Sequence, residues 1–154
     1  MNKEHFDVII VGAGLSGIGA AVELLKSCPG RSFAILEGRS RAGGTWDLFR
    51  YPGIRCDSDM YTFGYSFKPW RKPSSILDGP SILSYLLETA ADYDLESHIR
   101  FEHSVKSASW SSGEGRWNLE VALGDEPELA QLSCGVLYMC SGYYSYRGGY
   151  TPDF

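Results

Sequence analysis

The chain has 154 residues, 44% of them hydrophobic and 21% charged, which suits one globular domain with a sizeable core. Its formal net charge of −5, with no basic run, argues against a nucleic-acid-binding role. No apolar run approaches the roughly 20 residues that a membrane span needs, and Met1–His5 lacks the apolar core of a leader.

In chain order, the first element is an apolar strand over Phe6–Val11, continuous from Val8 to Val11 as a strand buried on both faces requires. It runs directly into Gly12-x-Gly14-x-x-Gly17. A helix follows over Leu15–Leu25, with Leu15, Ile18, Ala21, Val22 and Leu25 at helical spacing. A second strand, Phe33–Leu36, ends at Glu37, 20 residues after Gly17. Strand, glycine turn, helix, strand and acid in this register predict a βαβ unit that binds a dinucleotide. Gly12 permits the tight turn, Gly14 lets the backbone approach the phosphates, and Gly17 lets the helix pack close to the strand. The free N–H groups at the helix start, with Ser16 among them, face the pyrophosphate. Glu37 is the expected acceptor for ribose hydroxyls.

A long loop extends from Gly38 to Pro73, rich in Gly, Arg and aromatic residues and without a regular period; its length points to function. Residues 80–93 read as an amphipathic helix with Pro80 in the first turn and Asp78 or Gly79 as N-cap. Its apolar face is Ile82, Tyr85, Leu86, Thr89, Ala90 and Tyr93, which is core packing. Three strands follow: Ile99–Ala108, Trp117–Leu123 with half-solvated alternation, and Leu132–Cys140, nearly all apolar and ending in Ser141-Gly142. The last strand is expected to return to the buried sheet beside Phe6–Val11, its carboxyl end at the ligand side. The four cysteines have no CxxC spacing and no nearby histidine, so no metal site is expected; reduced thiols in the cytosol are the simplest reading, with membrane-surface attachment left open.

Two clusters in the loop are more specific than the glycine fingerprint. One is Gly43-Gly44-Thr45-Trp46-Asp47, which combines close backbone approach, polar groups and a broad apolar wall. The other is Arg50-Tyr-Pro-Gly-Ile-Arg55-Cys-Asp57-Ser-Asp-Met-Tyr61. On composition alone the second equally suits a surface turn with ion pairs. Together with Cys140-Ser-Gly-Tyr-Tyr144, these residues resemble the class B flavin-dependent monooxygenases, Baeyer–Villiger branch, ethionamide-activating type, over essentially the whole chain.

The resemblance implies an α/β fold: a Rossmann-like FAD-binding domain of the glutathione-reductase type, with a parallel sheet and a small antiparallel β layer, C-terminally truncated. It implies FAD and NADPH as cofactors and O2 with a ketone or a sulfur compound as substrates. Gly12, Gly14, Ser16 and Gly17 would hold the pyrophosphate and Glu37 the adenosine ribose. Gly44 would also bind the cofactor, Thr45, Trp46 and Asp47 would line the flavin side, and Val105 would meet the adenine through its backbone. Asp57 matches the family's acid beside the flavin and nicotinamide, and takes the one catalytic role, as an electrostatic partner. Arg55 lies at the edge of the NADP site. Cys56 reads as a passive neighbour.

A second GxGxx(G/A) unit and the family signature Phe-x-Gly-x-x-x-His-x-x-x-Trp are not among these 154 residues. The expectation is therefore that residues 1–154 form the N-terminal part of an FAD-binding domain, with the NADPH domain outside this chain. The fragment alone is expected to be inactive, and its open sheet edge invites self-association. The other readings are a nucleotide-binding fragment without catalysis, an N- or S-oxygenating flavin monooxygenase, and a pyridine nucleotide–disulfide reductase, which the lack of CxxC disfavours.

Overall fold

The computed structural model describes residues 4–145 and 148–154. Met1–Lys3, part of the stretch read as lacking a leader core, lie outside the described residues. Strand β1 (Glu4–Val11) leads into helix α1 (Leu15–Ser27) and strand β2 (Phe33–Leu36). The long loop contains two single-turn helices, α2 (Thr45–Leu48) and α3 (Met60–Phe63), too short to leave a period in the sequence. Helix α4 (Gly79–Asp92) and a 3-10 turn at Leu95–His98 precede strands β3 (Ile99–Arg100), β4 (His103–Ser111), β5 (Arg116–Leu123) and β6 (Leu129–Met139).

The strands form one sheet in the order β3-β2-β1-β6-β5-β4. The pairs β1–β2, β1–β6 and β2–β3 are parallel, and β4–β5 and β5–β6 are antiparallel. Phe6–Val11 and the last strand are neighbours in register, Val8 opposite Val136 and Val11 opposite Met139. The expected strand Ile99–Ala108 is two strands. Ile99–Arg100 pairs with β2, the chain turns at Glu102 with φ +57°, and only His103 onward joins the antiparallel hairpin. An unbroken polar–apolar sequence hid that turn, because Glu102 is not one of the residues that usually mark left-handed backbone.

Hydrogen bonding is continuous, yet packing makes two layers. Ile10, Phe33 and Ile35 on one face of the parallel strands meet Ile18, Val22, Ile82 and Leu86 from α1 and α4. Ile9, Ala34 and Leu36 on the other face meet Leu119 and Val121 of β5 and Leu132 and Cys134 of β6. The antiparallel strands thus curl over the face that the helices leave open. Strand β6 changes partners midway: Leu132–Cys134 pair on both sides, whereas beyond Cys134 the β5 side carries no ladder among the described residues. Val136, Tyr138 and Met139 are more than half exposed there.

Helix α4 starts where the sequence places it, Asp78 accepting from the Ser81 N–H at 2.9 Å. An aromatic cluster ties the loop to the helices. The Tyr65 hydroxyl donates to the Leu15 carbonyl at 2.5 Å, and the Tyr85 hydroxyl donates to the Lys68 carbonyl at 2.6 Å. Burial pushes the Tyr65 hydroxyl well above the ordinary phenol range. Tyr65→Phe is expected to cost about 1 kcal/mol, the net worth of one hydrogen bond, read as a lower urea midpoint at unchanged m-value.

Candidate functional site: a cleft at the carboxyl ends of the parallel strands

The carboxyl ends of β1, β2 and β6 are tied together at the glycine turn. The Gly12 N–H donates to the Leu36 carbonyl and the Cys140 N–H to the Val11 carbonyl, both at 2.8 Å. Gly12 has φ +104°, and a Cβ there would stand 2.5 Å from the Cys140 carbonyl oxygen, so glycine is required on both counts. The Gly43 N–H donates to the Ala13 carbonyl at 2.9 Å, which docks the diglycine turn on the fingerprint turn. Gly14 and Gly44 then face each other: a Cβ on Gly44 would lie 3.0 Å from the Gly14 Cα.

A cleft of about 1060 Å³ opens above this floor. Of the residues singled out in the sequence, it is lined by Gly12, Gly14, Ser16, Glu37, Gly44, Thr45, Trp46, Arg55, Asp57 and Val105. Two stand outside the lining. Gly17 lies beneath the turn, where a Cβ would collide with the Gly12 carbonyl oxygen. Asp47 is turned away and buried, paired with Arg39 and Arg50. Burial pushes the Asp47 carboxyl up, but the hydrogen bonds from Arg50 and Arg39 outweigh it and hold the group below the usual carboxylate range.

Each end of the cleft has its own chemistry. At one end Glu37 is 7% exposed, its Oε2 accepting from the Ala13 N–H and its Oε1 from the Arg39 N–H, both at 2.9 Å. Those bonds fix the carboxylate and leave lone pairs for further donors. The chain at 37–39 also binds the 100–103 segment, through Glu37 N–H to Arg100, His103 N–H to Glu37 and Glu102 N–H to Arg39. That pairing brings Ser104 and Val105 to the cleft, where the β4–β5 ladder shifts register between Val105 and Ser107.

In the middle, α1 begins at Gly14 with no side-chain cap and no acid in its first turn, so its leading N–H groups and positive dipole end face the cleft. At the far end Trp46 packs edge-on against Phe63, with ring centroids 6.0 Å apart. The loop carrying Arg55 and Asp57 is held by Cys56 N–H to Leu77 at 3.0 Å and Gly79 N–H to Ile54 at 2.9 Å. Asp57 is exposed at the cleft. The hydrogen bond with Tyr143, and more weakly the negative charge of Asp57, push the neighbouring Tyr144 hydroxyl up.

The family described as NAD(P)-binding Rossmann-like domain matches residues 10–72. The FAD-containing monooxygenase EthA of Mycobacterium tuberculosis is 54% identical over 151 residues, 98% of this chain and 30% of that protein. The chain is a homologue of FAD-containing monooxygenases over part of their length. It spans about 30% of the curated relatives it matches. Among solved structures, a steroid monooxygenase bound to NADP superposes with a TM-score of 0.81 at 34% identity, over 97% of this chain and 28% of that one. OTEMO in complex with FAD and NADP gives 0.80 at 27% identity, over 99% and 28%.

The cleft also contains residues that the sequence reading passed over. Arg39, two positions past Glu37, lines it, as do His103 and Ser104. The spacing of Arg39 from the acid was the available signal; the others are placed by strand ends that sequence periodicity does not resolve. Among the described residues no helix is long and apolar enough to cross a membrane, and no group of three or more His, Cys, Asp or Glu could hold a metal ion.

Proposed function

We propose that the cleft binds FAD and that the chain is the N-terminal part of the FAD-binding domain of an NADPH-dependent monooxygenase of the Baeyer–Villiger type, with the NADPH domain outside these residues. The observation that carries the reading is the uncapped α1 N-terminus beside the pinned, buried Glu37 carboxylate, within one cleft. An anionic pyrophosphate suits the first and ribose hydroxyls suit the second. When bound, FAD supplies the redox and oxygen chemistry that turns a ketone into an ester or lactone, or oxygenates a sulfur.

The chain's own residues bind and orient. Gly12, Gly14, Ser16 and Gly44 shape a backbone cradle for the phosphates, and Gly17 sets its depth from below. Val105 offers backbone groups to the adenine. Thr45 and Trp46 wall the flavin side. Asp57 sets the charge at the reacting end, where it offsets a cationic partner, and Arg55 faces the second nucleotide. Asp47 acts on this site from behind. The free cysteines support a cytosolic location.

Titration of FAD with the chain, followed by flavin fluorescence, tests the reading. Saturable quenching is expected, and Glu37→Gln is expected to weaken it about tenfold, as loss of a charged acceptor does. No saturation, or equal affinity in the variant, overturns it. The bare β6 edge beyond Cys134 supports self-association of the isolated chain. Sedimentation is expected to show a concentration-dependent dimer; a monomer throughout the micromolar range contradicts it.

A further inference from the structure

Asp47 joins two segments that the proposed function uses separately. One carboxylate oxygen accepts from Arg39, the residue two beyond Glu37. The other accepts from Arg50 Nη2 at 2.5 Å, and Arg50 Nε also donates to the Asp47 carbonyl at 2.8 Å. Arg39 Nη1 reaches the Gly44 carbonyl at 3.3 Å, and Arg41 Nε stands 3.7 Å from the carboxylate. The carboxylate side is 3% exposed, whereas the Arg50 and Arg41 side chains are 56% and 63% exposed. A charge that buried is tolerated only when paired and hydrogen-bonded, and here both oxygens are.

Arg39 and Gly44 both line the cleft, Arg39 two residues beyond Glu37 and Gly44 facing Gly14. Arg50 leads straight into Tyr51-Pro-Gly-Ile-Arg55-Cys-Asp57 at the other end. We propose that Asp47 is a positioning residue, whose carboxylate latches these two ends of the cleft into one register for a bound dinucleotide. The inference rests on the FAD reading of the cleft. The carboxylate touches no ligand; it acts through the guanidinium groups it holds. Asparagine keeps its shape but not its charge, leaving Arg39 and Arg50 without their shared anion and loosening the Arg50 end of the loop, so that residues 54–57 keep their backbone bonds to Leu77 and Gly79.

The test compares the full chain with its Asp47→Asn and Asp47→Glu variants. Limited trypsin digestion without ligand measures cleavage after Arg55, which the latch holds only through the loop, against cleavage after Arg116 in the β4–β5 hairpin as a control. FAD titration is run in parallel. In Asp47→Asn, cleavage after Arg55 is expected to rise at least tenfold with cleavage after Arg116 unchanged, and FAD affinity to fall at least tenfold. Asp47→Glu is expected to recover part of both. A parallel rise at Arg55 and Arg116 means general loosening and overturns the latch, as does an unchanged digest. If the unaltered chain does not bind FAD, the cleft reading fails, and the digest still decides whether Asp47 holds the loop.

Discussion

Gly17→Ala is expected to lower folding stability by about 3 kcal/mol, which for a chain of this size lowers the melting temperature by roughly 6–12 °C. The added methyl would fall on the Gly12 carbonyl oxygen, with the Gly12 carbonyl carbon 3.0 Å and Ile10 Cγ2 3.5 Å away. The obstacle is backbone, so no rotamer change relieves it. Helix α1 would have to lift from β1, breaking the packing of Ile18, Ala21 and Val22, all fully buried. Gly113→Ala is the control: a Cβ there meets nothing within 4 Å, and little change is expected. Calorimetry on the two variants checks this, and equal melting temperatures would refute the close approach.

Gly14→Val is expected to separate binding from folding. Gly14 has φ −88°, open to any residue, and a Cβ there meets only the Gly44 backbone, its Cα at an ordinary 3.5 Å and its N at 3.9 Å. Nothing in the protein's own atoms requires glycine for the fold. The branched side chain would instead fill the gap between the two glycine turns, where the phosphates are proposed to lie. FAD affinity is expected to drop at least a hundredfold, while Gly14→Ala keeps a melting temperature close to that of the unaltered chain. A valine variant that takes up flavin normally, measured by the same fluorescence titration, would move the phosphate site elsewhere.

The contrast between Gly14 and Gly17 shows what the sequence could carry. The βαβ unit was legible because its signals are local: an apolar run, glycines at fixed spacing, helical periodicity and an acid 20 residues on. Helix α4 was legible from Asp78, Pro80 and the face Ile82–Ala90, and β6 from its apolar run. The break at Phe101–Glu102 was not, because it depends on β2 claiming Ile99–Arg100 while the hairpin claims His103 onward. Local pattern does not record such competition between partners. The orientation of Asp47 was hidden for a similar reason. It sits among residues that line the cleft, and its direction is set by Arg39 and Arg50, whose convergence requires the fold.

The tie between Val11 and Cys140 has a consequence for the order of events during synthesis. Strand β1 pairs with β6 across a separation of 128 residues, Glu4 opposite Leu132. The floor of the cleft therefore cannot close when the glycine turn leaves the ribosome. It waits until Cys140 has emerged, since one wall of the Gly12 turn is the Cys140 peptide. Parallel pairing at such range carries a large loop-closure cost and folds slowly. The nascent chain is then expected to hold β1, α1 and β2 as a half-built nucleotide cradle, and flavin affinity to rise steeply only in truncations that extend beyond Cys140.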